Sequence, residues 1–445
     1  MSTTPTVDSF TPLEDALALL DDAVSPLVGL VTGVTSRTSG TDEARLPNAS
    51  CVSASIGRFH AGALPPSGDG AHPDARRARA AAIGEAVERY SALVVPTEEL
   101  IRTTARALGD EAVRPARFAL FHPTQHADPA FGFVPFTEDT ETLFVSARAL
   151  TDGQRAYVPA ELAYLCPPVG DRPRIGYVTS SGLACAATFA EAVLTALLEL
   201  VERDAVMLAW KCGLSLPLLE WDDDDALVEL EQRFFEVPGL SYSVLDGSSF
   251  LDVPVAIGVL RGGPETPPAL SVGAGCTPRP KDAWLKAMTE CFGVRSWLIV
   301  DAARNPERPL LAPDEVTTFD DHMAFFASER RARLAKFLDA SPVRRSIAEV
   351  EEIHGATPTE QIHAVCARLA RHGITAYAVD VTAPDVRQLG LSVARVVAPE
   401  LCALDVIHTA RYQGGTRLYH APHEAGYHAS PREITGLVDL PHPFP

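Results

Sequence analysis

The pattern of apolar and polar positions predicts three long helices, over residues 73–93, 189–211 and 281–300. It also predicts a short amphipathic helix near 11–22, helical segments at 328–338 and 359–372, and strands at 241–245, 253–260, 374–381 and 393–397. Gly, Pro, Ser and Asp are frequent in 36–50 and 60–76, which predicts loops. The short mixed segments of 98–175 give no clear pattern. Interleaved helices and strands favour a mixed α and β architecture.

The second long helix is apolar around nearly its whole circumference. On a helical wheel, Glu191, Glu199, Glu202 and Arg203 fall within an arc of about 120°, and most of the remaining positions are Ala, Val, Leu, Met or Trp. A helix at the surface has the opposite pattern, a narrow apolar stripe on a polar cylinder. We therefore expect this helix to be buried, with its acidic stripe facing a polar interior site.

Three carboxylates on a buried helix repel one another, and each loses hydration. Proton uptake or a compensating cation relieves this, and Mg²⁺ carried by a nucleotide is a common solution for oxygen ligands. Two other predicted helices carry Glu85, Glu88 and Arg89, and Glu290 with Arg295. The alternative is that these are solvated ion pairs on helix surfaces, which contribute only about 0.2–0.5 kcal/mol each.

One polar cluster occurs twice along the chain. Glu85-Ala-Val-Glu88-Arg89 recurs as Glu199-Leu-Val-Glu202-Arg203, and both copies lie in predicted helices. A match of five residues can arise by chance. It is also what an internally duplicated unit, with two sites facing each other, would leave in the sequence.

Composition restricts the class of protein. Of 445 residues, 38 are Lys or Arg and 58 are Asp or Glu, so the net charge is −20. This disfavours binding to nucleic acid or to anionic membranes. Residues 1–9 lack the basic and apolar parts of a signal peptide, and no apolar run is long enough to span a bilayer. The eight cysteines include no Cys-x-x-Cys pair, and together these features predict a cytoplasmic protein.

Several segments together resemble the YcaO family, and specifically the cyclodehydratases that form azoline rings in ribosomally made peptides. The matching segments are Ala78-Arg-Ala-Ala-Ala-Ile-Gly-Glu85-Ala-Val-Glu88-Arg89-Tyr90, Thr179-Ser-Ser-Gly182-Leu-Ala184, Glu191-Ala, Glu199-Leu-Val-Glu202-Arg203-Asp204-Ala205, Val253-Pro254-Val255, Val272-Gly273-Ala-Gly275-Cys276, Ala287-Met-Thr-Glu290 and Pro441-His-Pro443-Phe-Pro445. The resemblance covers about 55–445. It leaves 1–54 as an N-terminal segment that is short for a full leader-binding module.

The resemblance implies an α+β YcaO-like fold with mixed sheets and packed helices, internally duplicated, and an ATP site between facing helices. It implies ATP and Mg²⁺ as cofactors. The residues carried over as metal ligands are Glu85, Glu88, Glu199, Glu202 and Glu290. Those carried over as other nucleotide-site residues are Arg89, Glu191, Arg203 and Arg295. Glu199, Glu202 and the carboxylate of Pro445, at the end of a Pro-x-Pro-x-Pro tail that reaches the active site, are the implied catalytic groups. For the tail, the alternative is an ordinary frayed terminus.

The implied reaction is ATP-dependent cyclodehydration. A Cys, Ser or Thr side chain attacks the preceding amide carbonyl, and phosphorylation of the amide oxygen makes it a good leaving group. The implied partners are a precursor peptide and an E1-like, ocin-ThiF-like protein that binds its leader in trans. A homodimer is a further expectation.

Four positions depart from the family pattern. Ala81 replaces a Ser, Asp69 lies where a basic residue is usual between Gly68 and Gly70, Gly293 replaces a Gln, and Ser181 replaces an Asn. Two alternatives to cyclodehydration are open, and the departures at Ala81, Asp69 and Gly293 motivate the second of them. The first is thioamide or amidine formation by a related mechanism, and the second is a non-catalytic scaffold subunit of a peptide-modifying complex.

Overall fold

The computed structural model describes residues 8–37, 43–57, 64–167, 170 and 174–445. Its helices are α1 (Leu13–Asp22), α2 (Ala75–Leu93), α3 (Ala105–Leu108), α4 (Phe189–Lys211), α5 (Asp225–Leu230), α6 (Pro280–Arg304), α7 (Phe319–Phe325), α8 (Glu329–Ala332), α9 (Pro358–Ala370), α10 (Pro384–Gln388) and α11 (Arg417–Glu424). Three of them, α2, α4 and α6, carry the acidic residues singled out above.

The strands are β1 (Val31–Arg37), β2 (Asn48–Ser53), β3 (Ser67–Ala71), β4 (Ile101–Thr103), β5 (Thr142–Ala149), β6 (Arg155–Pro159), β7 (Leu183–Ala186), β8 (Leu218–Glu220), β9 (Leu240–Asp246), β10 (Val255–Gly262), β11 (Leu270–Cys276), β12 (Arg344–Ser346), β13 (Tyr377–Asp380) and β14 (Ser392–Val397). They form sheets in the orders β1-β2-β3, β11-β10-β9-β8-β12 and β4-β5-β13-β14-β7, with β6 paired to β5. Only the β8–β12 pair is parallel among these described ladders.

Helix α4 begins with a capping box. The Thr188 hydroxyl accepts a hydrogen bond from the Glu191 N–H, and the Glu191 carboxylate accepts one from the Thr188 N–H. The helix then runs through the interior, packed against β7, β14 and β11, and most of its residues from Ala192 to Lys211 are buried. The sequence prediction of a buried helix over 189–211 is confirmed.

Glycines allow two strands to lie very close to helices. A Cβ at Gly68 or Gly70 of β3 would lie 2.1 Å from a carbonyl oxygen of α2, and a Cβ at Gly273 of β11 would lie 2.4 Å from the Cys291 nitrogen of α6. Side chains are therefore excluded at these positions, and the strands bring their main-chain N–H groups directly to the helices.

The loop prediction for 60–76 was wrong over the β3 residues. A Ser-Gly-Asp-Gly sequence is typical of turns, but here the glycines serve close packing on α2, and tertiary contact outweighs local propensity. The predicted loop 36–50 likewise contains the start of β2, at Asn48. Residues 38–42 and 60–63 of these two predictions lie outside the described residues.

The α+β fold class is confirmed, and the remaining predicted helices and strands overlap α1, α2, α6, α8, α9, β9, β10, β13 and β14. The proposed internal duplication stays a prediction. Within the described chain, no helix combines the length and apolar character needed to cross a bilayer. All eight cysteines lie in the described part and are free thiols.

Two glycine substitutions test this packing. Gly273→Ala is expected to lower the free energy of unfolding by about 1–3 kcal/mol, because its Cβ overlaps α6. Gly293 lies inside α6 with open space at its Cβ position. Gly293→Ala is therefore expected to leave the free energy of unfolding unchanged or to raise it by up to about 1 kcal/mol. Urea unfolding of the two variants measures this, and equal stabilities would contradict the packing described.

Candidate functional site

Main-chain N–H groups hold four of the five predicted metal-binding glutamates. Asp69 N–H, in β3, donates to Glu85 at 2.6 Å, and Gly182 N–H, just before β7, donates to Glu199 at 3.1 Å. In β11, Cys276 N–H donates to Glu202 at 2.9 Å and Ala274 N–H donates to Glu290. Each carboxylate is thereby oriented by a strand or turn of a neighbouring sheet.

The two glutamates of α2 differ in their partners. Glu85 forms an ion pair with Arg89 at 2.6 Å, and Arg89 also donates to the Ser67 carbonyl at 3.0 Å. Glu88 makes no hydrogen bond or ion pair within the described residues. Burial, then the charges of Glu199 and Glu85, raise the pKa of Glu88 well above its usual value. Glu88 thus has unused ligand capacity near Glu85 and Glu199.

Arg203 lies between the glutamates of α4 and α6. Its guanidinium is 3.5 Å from Glu199, 3.8 Å from Glu202 and 4.0 Å from Glu290. Burial opposes the charged form, but these three carboxylates together raise the pKa of Arg203 above its ordinary value. The positive charge of Arg203 is therefore shared among three carboxylates.

Lys286 is a site residue that the sequence analysis missed. Its ammonium lies 2.8 Å from Glu202 Oε2, and it sits one turn before Glu290 on α6. Burial would raise the pKa of Glu202, but Lys286 and Arg203 outweigh it and hold that pKa below its usual value. Burial and the Glu202 charge raise the pKa of Glu290 to about 6. The signal available in the sequence was the basic residue Lys286, four positions before Glu290.

Arg395 is a second missed residue. It is buried in β14 and donates to the carbonyls of Ala163, Ser181 and Thr179, so it holds the turn that supplies the Gly182 N–H. Burial lowers its pKa to about 10, and the charges of Glu199 and Glu88 oppose that shift. A single arginine within the apolar stretch 391–397 was its sequence signal.

The C-terminal tail, residues 438–445, runs into the cluster. A main-chain oxygen of Pro445 accepts a hydrogen bond from Arg203 at 3.3 Å, and Phe444 is fully buried. The tail is therefore anchored and not frayed, and it brings the predicted residue Pro445 beside Arg203.

Two predicted residues lie away from this cluster. Glu191 is about 12 Å along α4 from Glu199, and its carboxylate accepts from Thr188 and Thr11. Arg295 donates to the carbonyls of Thr266 and Pro268 at the turn between β10 and β11. The helical wheel showed Glu191 on the acidic face but did not account for its distance along the helix axis. The role of Arg295 near the phosphates stays a prediction.

Glu191 lines a cavity of about 300 Å³ between α1, α2 and the start of α4. Its walls include Phe10, Leu20, Ala80, Gly84, Cys185 and Leu194. Gly84 directly precedes Glu85, so the cavity adjoins the glutamate cluster. A larger cavity of about 410 Å³, bordered by Arg37, Arg45 and Ala75, contains none of the predicted site residues.

The donor set fits a hard divalent cation. Glu202 Oε1 is buried and has no hydrogen-bond partner, and Glu88 has spare oxygens. Carboxylate oxygens are the ligands that Mg²⁺ takes. In the arrangement that the structure describes, the carboxylates turn to main-chain amides and arginines, and no three acidic, His or Cys side chains of the described residues already converge as a ligand group.

The departures from the family pattern occupy different surroundings. Asp69 contributes its main-chain N–H to Glu85, and Ser181 contributes its carbonyl to Arg395. Gly293 has open space at its Cβ. Nothing in the structure explains Ala81, which is exposed on α2.

Residues 67–402 match the family model of the YcaO cyclodehydratases, described as binding ATP and Mg²⁺. The match covers most of the chain, and this protein therefore belongs to the YcaO family.

Three solved structures share the fold. A heterocyclase in complex with substrate and cofactor is 24% identical with a TM-score of 0.78, covering 98% of this chain and 57% of its own. YcaO from Methanopyrus kandleri, bound with AMPPCP and Mg²⁺, is 20% identical with a TM-score of 0.58, covering 83% and 86%. A chain of the E. coli microcin synthetase McbBCD complex with pro-MccB17 bound is 13% identical with a TM-score of 0.59, covering 95% and 98%. This chain thus spans just over half the length of the first heterocyclase.

The raised pKa of Glu290 predicts a pH-dependent stability. A carboxyl with a pKa of about 6 when folded and 4.5 when unfolded stabilises the fold fully below pH 4.5, and that stability is lost as pH rises through 6. Without nucleotide, the free energy of unfolding of Glu290→Gln is therefore expected to exceed that of wild type by about 1–2 kcal/mol at pH 8 and to equal it near pH 4.5. Denaturant unfolding at both pH values measures this. A difference that does not change with pH would contradict it.

Proposed function

We propose that this protein is an ATP- and Mg²⁺-dependent cyclodehydratase that converts Cys, Ser or Thr residues of a ribosomally made precursor peptide into thiazolines or oxazolines. The observation that carries the proposal is the group of five glutamates on α2, α4 and α6, three of which lie within 4.0 Å of Arg203, beside Pro445. Membership of a family described as ATP- and Mg²⁺-binding cyclodehydratases supports it.

Glu85, Glu88, Glu199, Glu202 and Glu290 would hold Mg²⁺ on the nucleotide phosphates. When bound, the metal neutralises charge on the phosphates and orients the γ-phosphoryl group. The four glutamates that accept main-chain N–H bonds keep further lone pairs for ligation, because a carboxylate has about four acceptor sites. Arg203 and Lys286 supply the remaining positive charge near the phosphates, and Arg89 keeps Glu85 oriented.

The cavity beside Gly84 is the proposed adenosine site. It is at the lower end of the volume range for small-molecule sites, about 300–1,000 Å³. Apolar side chains such as Leu20 and Leu194 suit the adenine ring, and the Glu191 carboxylate suits the ribose hydroxyls. Bound there, a nucleotide would extend its phosphates past Gly84 toward Glu85 and Glu199. Glu191 is thus a proposed ribose contact and not a metal ligand.

In the proposed reaction, a substrate thiol or hydroxyl adds to the preceding amide carbon and loses its proton. The resulting oxyanion takes the γ-phosphoryl group of ATP, with ADP as leaving group. Loss of inorganic phosphate, with loss of the amide proton, then forms the C=N bond of the azoline. The net change in the peptide is the loss of one water for each ring.

Pro445 is the proposed group that orients the attacking side chain. Its main-chain oxygen lies beside Arg203, where phosphoryl transfer would occur. In a chain that ends at Pro445, this oxygen belongs to a carboxylate, which can accept the proton of the attacking thiol or hydroxyl.

A separate, E1-like protein is the proposed carrier of the precursor's leader. A chain of the E. coli microcin synthetase McbBCD complex with pro-MccB17 bound shares this fold, which supports action on a peptide together with partner proteins.

The first test substitutes Glu199. Glu199→Gln is expected to lower precursor-stimulated ATP hydrolysis by at least about a hundredfold, because it removes one negative charge from the metal and phosphate site. Hydrolysis is measured by phosphate release with Mg²⁺, candidate precursor and partner. Mass spectrometry of the wild-type product should find the loss of one water per ring.

Glu231→Gln is the matched control, since Glu231 is also a partly buried helical glutamate, but it accepts from Trp221 and Tyr242 away from the cluster. It is expected to leave hydrolysis within about twofold of wild type. ATP hydrolysis with an unchanged peptide mass, or with a mass gain from sulfur replacing oxygen, would contradict cyclodehydration. Absence of Mg–ATP binding with partner present would favour a scaffold.

The second test fills the cavity. Ala80→Phe is expected to raise the KM for ATP at least about tenfold with the glutamates intact, because the phenyl ring occupies the proposed adenosine space. Ala302→Phe, on the exposed end of α6, is the control for a surface phenyl group. Steady-state kinetics measures both variants. An unchanged KM for ATP in Ala80→Phe would show that adenosine does not bind in this cavity.

A further inference from the structure

The C-terminal tail is held at regular intervals on its way to Arg203. Val438 N–H donates to the Lys211 carbonyl at 2.8 Å, and Trp210 Nε1–H donates to the Leu440 carbonyl at 3.2 Å. Nearer the end, His442 Nε2–H donates to the Asp405 carbonyl at 2.6 Å. The last of these anchors lies only three residues before Pro445.

His322, in α7, contacts the tail at this last anchor. Its ring is fully buried and stacks on the His442 ring, with centroids 3.9 Å apart and planes inclined by 17°. His322 Nδ1 lies 3.1 Å from the His442 carbonyl oxygen, and its Nε2 lies 3.2 Å from the Val406 carbonyl oxygen. A residue outside the glutamate cluster therefore contacts the tail in two ways, by ring stacking and through a ring nitrogen beside a main-chain carbonyl.

The two ring nitrogens of His322 compete for one proton. Burial lowers the pKa of His322, which favours the neutral ring, and a neutral imidazole has one N–H. It donates either to the tail, through Nδ1, or to Val406, through Nε2. Only the first of these bonds connects α7 to the residues that lead to Pro445.

We propose that His322 is a positioning residue, whose Nδ1–H···O=C bond to His442 sets how far the tail enters the site and so holds Pro445 beside Arg203. This inference rests on the proposed function for its effect on turnover. The contact itself is a property of the fold and can be tested without any reaction. A shift of the tail by about 1 Å is enough to lower turnover substantially.

Two isosteric substitutions separate the two nitrogens. The amide nitrogen of Asn corresponds to Nδ1 of histidine, and that of Gln corresponds to Nε2. His322→Asn keeps the donor to His442, and His322→Gln keeps only the donor to Val406. His408→Asn is the matched control, because His408 is also buried beside the tail, 3.8 Å from Asp439, but does not bond to the tail's main chain in the described residues.

The first readout is amide hydrogen exchange of 438–445 in nucleotide-free protein. Exchange at Phe444, whose N–H bonds to His442 Nδ1, is expected to speed up at least about tenfold in His322→Gln and to stay near wild type in His322→Asn and His408→Asn. Equal exchange in the Asn and Gln variants, or unchanged exchange in both, overturns the proposal.

The second readout is kinetic. His322→Gln is expected to lower kcat at least about tenfold with the KM for ATP within about twofold of wild type, and His322→Asn is expected to restore kcat. A parallel loss of kcat and ATP affinity in both variants would indicate general destabilisation and overturn the positioning role. If wild type itself forms no azoline, the proposed function fails, and the hydrogen-exchange result still decides whether His322 holds the tail.

Discussion

Mutual repulsion among five glutamates is the constraint around which the protein is built. The proposed function requires their helices to approach closely enough for the carboxylates to share a ligand, and without compensation the charges would push those helices apart. The compensation comes from main-chain amides of β3, β11 and the turn before β7, and from Arg203 and Lys286. The raised pKa values of Glu88 and Glu290 favour proton uptake, which reduces the remaining repulsion.

This constraint explains features of the sequence that lie far from the acidic residues. Gly68, Gly70 and Gly273 have no side chain because their strands must approach the helices closely enough to donate N–H groups to carboxylates. Arg395 is buried because it satisfies two carbonyls of the turn at Gly182, those of Thr179 and Ser181, together with the carbonyl of Ala163. Stability and function are coupled here, since the residues that permit close packing also orient the site.

The sequence predicted the helical part of the site well. The apolar circumference of α4 and its acidic stripe identified Glu199, Glu202 and Arg203 from periodicity alone, because a helix repeats its pattern locally. The sheet β1-β2-β3 was missed, because the glycines of β3 are explained only by its close packing against α2. Arg395 was missed for a similar cause: its partners are carbonyls distant in sequence, and no local pattern reports them. The helical wheel placed Glu191 on the acidic face, but a wheel does not show the distance of about 12 Å between Glu191 and Glu199 along the helix axis.

We infer that the glutamate cluster exchanges protons and arginine contacts for Mg²⁺ and a nucleotide. Calorimetric titration of the protein with Mg²⁺ and a non-hydrolysable ATP analogue at pH 6, in buffers of different ionisation enthalpy, measures this exchange directly. Because burial and neighbouring carboxylates raise the pKa of Glu88 well above its usual value and that of Glu290 to about 6, metal binding should release protons. Glu290→Gln should release fewer. Binding with no proton release, or no Mg²⁺-dependent binding at all, would contradict the account.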